Sequence, residues 1–461
     1  MITNYHNPSD KRIYPERWRI ASGKELFAVI DRRSTDGSEE LLSVSHITGI
    51  TPRSQKNVTM FKSESLVGYK KCSAGNIAAN TMWTWQGAIG VSEYDGVVSP
   101  AYNVYRQRDN NYNSNYLDML LREKQLVDVY HSISTGIRPS RLRLYPEPFL
   151  TIKFPIPPRE EQEQIVKYLN WQLSKVNKLI ISKRKQIALL LAQRQRVIDD
   201  TIFERCVKDD NPDSEYPLGL IMPTNWKIVK FNGYFDFGKG LNITKSDLVE
   251  NGVSVISYGQ VHSKSNMGTE ISDDLIRYVD ESYLKTSPKA LVMPGDFIFA
   301  DTSEDFAGVG NCVFVDRDET IFAGYHTLIA RPKDGKYHRY LAYLFKSSYW
   351  RYQLRKRVNG VKVYSITQKI LKNAIIILPP ENEQDAVVEY LDEKCRVISD
   401  VISKITSEIS TLQAMKKRLV SDVVTGKIDV REVQVPEYEF TQEAYTMEED
   451  EEFVDDADEE V

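Results

Sequence analysis

Two stretches of the chain carry apolar residues at alternating three- and four-residue spacing for five heptads. The first runs through Val166, Leu169, Leu173, Val176, Ile180, Lys183, Ile187, Leu190, Arg194, Val197 and Thr201, and eight of these eleven are apolar. The second runs through Val388, Leu391, Cys395, Ile398, Ile402, Ile405, Ile409, Leu412, Lys416, Leu419 and Val423, with ten of eleven apolar if Cys is counted. A 3.5-residue repeat held in one register keeps one seam against a partner helix, so these stretches predict two long helices that pair as a coiled coil. Arg194 and Lys416 take the same seam position, where a polar residue fixes register. Both helices follow two prolines, which preset the first turn, and Glu160, Glu161, Glu381 and Glu383 suit the positive end of the helix dipole. Gly426 reads as a C-terminal cap.

The remainder has a different texture. Short β-rich runs (LLSVSHI, NVYR, VSVIS, DFIFA, NCVFV) alternate with Gly, Pro and Asn turn signals. One helical stretch is expected in each part, over 115–132 and 338–355. The pattern is written twice. PERWRI from Pro15 recurs as PTNWKI from Pro223; Ser45 matches Ser257; Tyr116-Leu117 matches Tyr340-Leu341; Gly136 matches Gly360; and PPREEQEQIVKYL from Pro157 recurs as PPENEQDAVVEYL from Pro379. The order is kept while the offset drifts between 208 and 224, as duplication followed by loop insertion would give. The chain therefore divides into a globular unit at 1–157, a helix at 158–208, a second unit at 209–380, a second helix at 381–426, and an acidic tail at 427–461. Trp18 and Trp226, repeated beside Ile at the start of each unit, read as core anchors more than as platforms for bases.

Charge refines this picture. The formal net charge is -5, but Glu432 to Glu460 supply 14 acids and no base follows Arg431. Without that segment 60 basic residues face 65 − 14 = 51 acidic ones, a net of +9. A basic body suits a polyanion, because Lys and Arg displace counterions from phosphate. Residues 446–461 hold 10 acids in 16 positions and read as a disordered, solvated tail, or as a DNA mimic that folds back on the body. Four scattered cysteines with no CxxC pair argue against a zinc site or a disulfide framework and for a reducing cytoplasm. No apolar run reaches the length of a membrane span.

The PERWRI and PTNWKI starts, the SPAY segment at Ser99 to Tyr102, and the duplicated PPxxEQ run leading into a long helix resemble the DNA-specificity subunit of Type I restriction–modification enzymes. The resemblance covers about residues 13–430. It implies a mixed α+β (α/β) fold of two homologous target-recognition domains separated by an antiparallel coiled coil with pseudo-twofold symmetry. Each domain would read one half of a split duplex DNA sequence. The helical regions would dock two modification (methyltransferase) subunits, joined in restricting systems by a translocase/endonuclease subunit. S-adenosylmethionine and ATP with Mg²⁺ would belong to those partners, and this chain would bind no cofactor and catalyse nothing. Two features depart from the family pattern: SPAY becomes AGYH (Ala323 to His326) in the second copy, and the acidic tail is additional.

Base edges and phosphates are bonded by Arg, Lys, Asn and Gln, with other polar groups in support. Candidates in the first unit are Lys70, Lys71, Arg106, Arg108, Asn111, Asn113, Arg138, Arg141 and Arg143. In the second they are Lys239, Asn242, Tyr258, Lys264, Tyr325, His326, Lys362 and Tyr364. Catalytic motifs fail. GYFDFGKG (Gly233 to Gly240) has P-loop spacing but lacks the Ser or Thr that would hold Mg²⁺. Asp334-Gly-Lys336 and Asp392-Glu-Lys394 lack the upstream acid of a metal-dependent nuclease. Two other readings stay open: a coiled-coil scaffold with incidental basicity, and a specificity subunit of a modification-only or related defence system.

Overall fold

The computed structural model describes residues 14–55, 65–137, 142–208, 219–336, 338–358, 360 and 363–441. The chain is a mixed α/β protein of two compact units, Met1–Lys185 with Thr406–Val461, and Gln186–Ile405. No helix among the described residues is long and apolar enough to cross a membrane.

In the first unit the strand Arg19–Ser22 pairs antiparallel with Lys153–Ile156. One helical turn, Gly23–Leu26, follows, fixed by the Glu25 carboxylate, which accepts from Ser22 N at 3.1 Å and Ser22 Oγ at 2.6 Å. The chain then enters an antiparallel sheet with the strand order Phe27–Ile30, Asn103–Gln107, Ile77–Ala79, Ile89–Val91. The second unit repeats this order of elements. Lys227–Lys230 pairs antiparallel with Ile375–Leu378, the turn Phe231–Tyr234 follows, and the sheet runs Phe235–Lys239, Thr327–Pro332, Phe297–Ala300, Cys312–Phe314. It also holds a five-stranded sheet in which Val253–Ile256 and Ile321–Ala323 run parallel. The Gly233–Gly240 segment with P-loop spacing is thus a helical turn and a strand, not a phosphate-cradling loop.

The single helices expected over 115–132 and 338–355 are each two helices. Ser114–Leu121 gives way to Lys124–Ile133 because Glu123 caps the second, accepting from Gln125 N at 2.8 Å. Arg339–Leu344 gives way to Ser348–Arg355, which Ser347 caps through its hydroxyl. Each break turns a new apolar face inward: Tyr116, Leu117, Leu120 and Leu121 are buried before the first, Leu126 and Tyr130 after it.

The long helices are Arg159–Ile202 and Glu381–Val424, 44 residues each, or about 66 Å at 1.5 Å per residue. The glutamine of each PPxxEQ run explains its place in the motif. Gln162 Nε2 reaches back to Pro157 O at 2.9 Å, and Gln384 Nε2 to Pro379 O at 2.8 Å, so each start is tied by its own side chain. The acids of the first turn are held too: Glu161 meets Arg17 at 2.5 Å, and Glu383 accepts from Trp226 Nε1 at 3.1 Å. Trp18 and Trp226 are buried in their cores.

Within the first unit Ile165, Val166 and Leu169 share a core with Val423 and Val424, Lys416 Nζ donates to Asn177 Oδ1 at 3.0 Å, and Lys183 meets Glu408 at 2.5 Å. Within the second, Ile198 and Ile202 share a core with Leu391 and Cys395, and Arg205 pairs with Glu383. In both units, residue numbers rise on one helix as they fall on the other. Of the twelve seam residues Leu169, Leu173, Val176, Ile180, Ile187, Leu190, Leu391, Ile398, Ile402, Ile405, Ile409 and Leu412, none is exposed.

The segment expected as a free tail begins as a strap. After Gly426, whose φ of 74° ends the helix, the chain runs extended along the first long helix. Gln164 Nε2 donates to Val430 O at 2.9 Å and Val433 O at 2.7 Å, Ser174 Oγ to Glu439 O at 3.0 Å, and Asn177 Nδ2 to Thr441 O at 2.8 Å. Val430 is buried in the core of the first unit. Residues 442–461, with most of the acids, lie outside the described residues.

Candidate nucleic-acid interface

Each unit gathers polar side chains at one corner, where the third strand of its four-stranded sheet ends beside the turn that opens the second. In the first unit Ile77–Ala79 ends at Asn80, and Asn80 Nδ2 donates to Tyr102 Oη of the SPAY segment at 2.9 Å. Thr81 Oγ1 donates to Ala101 O at 2.5 Å, and Leu144 N donates to Thr81 O at 2.9 Å, which brings the Arg143 segment to the same corner. Lys70 Nζ donates to Tyr102 O at 2.7 Å. Burial lowers the Lys70 pKa, whereas the bond from Lys71 to Glu39 raises that of Lys71.

In the second unit Phe297–Ala300 ends at Asp301, and His326 Nδ1 of the AGYH turn lies 3.3 Å from Asp301 Oδ1. Ile366 N donates to Asp301 O at 2.6 Å, as Leu144 does in the first unit to Thr81. His326 adopts φ 53°, the left-handed conformation that a residue with Cβ rarely takes. Its backbone is held there by the bond from Asp301 N to His326 O at 3.1 Å. Tyr258, Tyr325 and His326 pack ring to ring with centroids 6.1–6.3 Å apart. Tyr258 Oη donates to Glu304, and burial with that carboxylate raises its pKa. Gly240 N donates to Thr327 O and Leu241 N to Ala323 O, so the strand end carrying Lys239 and the loop carrying Asn242 border the same turn. A Cβ on Gly240 would stand 1.9 Å from Gly324 O, so only glycine permits this approach. Tyr364 joins through the ladder Ser303↔Tyr364.

Lys239, Asn242, Tyr258, Tyr325, His326 and Tyr364 thus come together, as do Lys70 and Arg143. Arg106 and Lys264 are exposed on their units, and the bonds above do not bring them into either corner. Three candidates serve the fold instead. Arg108 Nε donates to Lys24 O and Phe27 O, both at 3.1 Å. Asn113 caps Ser114–Leu121, its amide oxygen accepting from Asn115 N and Tyr116 N. Asn111 accepts from Arg19 at 3.0 Å, and its carbonyl from Gln162 at 2.9 Å. Lys71 is engaged by Glu39 at 2.6 Å. Arg138, Arg141 and Lys362 lie outside the described residues.

The sequence reading missed Asn80 and Asp301 with the loops that follow them. NTMWTWQG (Asn80 to Gly87) and DTSEDFAG (Asp301 to Gly308) have equal length at a constant offset of 221, a signal as regular as the repeats that were found.

Residues 223–411 match the family model of the Type I restriction modification DNA specificity domain. The chain is 26% identical over 340 residues to the type I restriction enzyme MjaVIII specificity subunit of Methanocaldococcus jannaschii, covering 73% of this chain and 75% of that protein. A second protein of that organism, named as a type I restriction enzyme MjaX specificity subunit, is 23% identical over 450 residues, covering 90% and 95%. Among solved structures, a chain from work on complex assembly and conformational transition of the type I R-M system superposes with a TM-score of 0.51 at 17% identity. The match covers 90% of this chain and 99% of that one, a likeness of fold.

Proposed function

We propose, given that the chain belongs to the Type I restriction–modification DNA-specificity family, that it selects a two-part duplex DNA sequence, one half per unit. The observation that carries this reading is the shared order of elements in the two units, each ending in a polar corner at the same place in its sheet. Two related but diverged heads suit two different half-sites, and the separation of heads sets half-site spacing in a bipartite reader. The long helices serve as the spacer, paired antiparallel as a coiled coil. Bonds in each unit support that pairing, since Lys183 meets Glu408 from helix to helix and Arg205, just past the end of the first helix, meets Glu383 at the start of the second. The chain itself carries out no chemistry. Two methyltransferase subunits dock on the helical regions and supply S-adenosylmethionine chemistry, and a restriction subunit, where one is present, uses ATP and Mg²⁺. The complex works in the cytoplasm.

The test is methylome sequencing of cells with and without this gene. A gapped motif, methylated only when the gene is present, is the expected result. A continuous motif, or an unchanged methylome while the chain co-purifies with its partners, refutes the reading.

A further inference from the structure

The two corners present opposite chemistry on the same scaffold. Asn80 of the first is an amide bonded to a phenol, and its loop adds the stacked indoles of Trp83 and Trp85, 6.1 Å apart. Asp301 of the second is a carboxylate facing an imidazole, and its loop adds Glu304 and Asp305, both exposed.

The acidic loop is tied down by several hydrogen bonds. Arg351 Nη1 and Arg355 Nη2 each donate to Ala307 O at 2.6 Å, and Arg351 Nη2 donates to Asn311 Oδ1 at 3.0 Å. His262 Nε2 lies 2.8 Å from Thr302 O, and Ser303 Oγ donates to Asp305 O at 2.7 Å. The loop's backbone is braced by cations from beneath, while Glu304 and Asp305 lie exposed. Carboxylates repel phosphate, so an acidic loop among DNA-facing groups is poorly suited to the backbone. It is suited to the groove, where the exocyclic amino groups of cytosine and adenine donate hydrogen bonds.

We propose that the loop Asp301–Phe306 is the base-reading element of the second unit, with Asp301 and Glu304 accepting from an exocyclic base amino group. His326 holds Asp301 in place, and Tyr258 holds Glu304. In the equivalent loop of the first unit Asn80 is buried and engaged by Tyr102 and Met82, so that loop reads by contact with the indoles of Trp83 and Trp85, which makes the two half-sites chemically unlike. This inference rests on the DNA-recognition reading above and adds which residues discriminate.

The experiment measures binding of the assembled complex to a set of duplexes, each with one base pair of the gapped motif replaced, at fixed salt. The isosteric double variant D301N/E304Q is compared with wild type, and W83A/W85A serves as the reciprocal variant. Wild type should discriminate at each read position by about tenfold or more, the range for a well-made side-chain-to-base contact. In D301N/E304Q, discrimination at one or two cytosine- or adenine-bearing positions of one half-site should fall below about threefold, with the other half-site unchanged. W83A/W85A should alter the opposite half-site. An unchanged profile in D301N/E304Q, or an equal loss across both half-sites with normal melting behaviour, overturns the proposal. A wild-type complex with no gapped motif at all would overturn the broader reading instead, so the two failures are distinguishable.

Discussion

Lys346 offers a quantitative test of how the second head is seated on its helix. The turn from Lys346 to Ser348 is a docking point: Gln195 Nε2 donates to Lys346 O at 2.9 Å, and Ser348 N and Oγ donate to Asp199 at 2.7 and 2.6 Å. The Lys346 side chain passes over Gly268 into the interior, 7% exposed, and its ammonium donates to Asn266 O at 3.3 Å. The ionisable neighbours that act on it are Cys312, Arg351 and Arg194, none of them a carboxylate, and burial pulls its pKa from an ordinary 10.5 to about 7. The folded value lies below the unfolded one, so the unfolded chain holds more protons between pH 7 and 10.5. The associated stability is complete above the unfolded value and is lost as pH falls through the folded one. Linkage gives a deficit of about 4 kcal/mol at pH 7 and about 2 kcal/mol at pH 9. Local relaxation and water entry reduce what is observed to roughly half of these figures.

Lys346→Met keeps the stem over Gly268 and removes the ammonium. It should therefore raise the melting temperature of the second unit by about 4–8 °C at pH 7, at about 2–4 °C per kcal/mol. The advantage over wild type should shrink by about half at pH 9. Scanning calorimetry of both proteins at several pH values between 6.5 and 9 reads this directly. A constant difference across that range, or a destabilised variant at pH 7, refutes the account of a desolvated ammonium with no carboxylate acting on it.

Four further outcomes follow from the same structure. Asp199→Ala should cost about 1–2 kcal/mol in the second unit by leaving the Ser348 bonds unmade, read by denaturant melting, while the first unit melts normally. Gly240→Ala forces a methyl group against Gly324 O and should abolish discrimination in the second half-site, measured by the duplex panel, while the first is retained. A chain ending at Thr441 should melt as wild type does but bind nonspecific duplex more tightly in low salt; equal affinity would dismiss a charge-mimicking role for the acidic tail. A chain ending at Gly426 should lose about 2 kcal/mol or more from the first unit, because the burial of Val430 goes with the strap.

The two long helices were legible because their seam repeats in steps that no other element shares, and because PPxxEQ marks both starts. The tryptophans were legible as anchors by recurrence beside Ile. The split of each shorter helix was not, since Glu123 and Ser347 act as caps only once Ser421 and Leu344 fix them: Ser421 Oγ donates to Glu123 at 2.6 Å, and Ser347 Oγ to Leu344 O at 2.6 Å. The corners were half legible. Side-chain type singled out Tyr258, Tyr325 and His326, but Asp301 was passed over because the reading sought Arg, Lys, Asn and Gln with other basic or polar groups, and not acids. Asn113 and Arg108 were chosen for side-chain type, and type cannot distinguish an amide that caps a helix from one that reads a base. The strap was hidden by its acidity, which outweighs in composition the few valines that anchor it.

Besides its buried Val430 and the ion pair of Glu439 with Lys178, that strap is gripped through its main chain: Gln164, Ser174 and Asn177 reach carbonyl oxygens of residues 430, 433, 439 and 441. A cradle that recognises peptide groups places few demands on amino-acid identity. Related proteins could rewrite this stretch freely provided they preserve spacing and a small apolar plug at position 430. The same tolerance makes it a natural place to graft an epitope or fluorophore without disturbing either head.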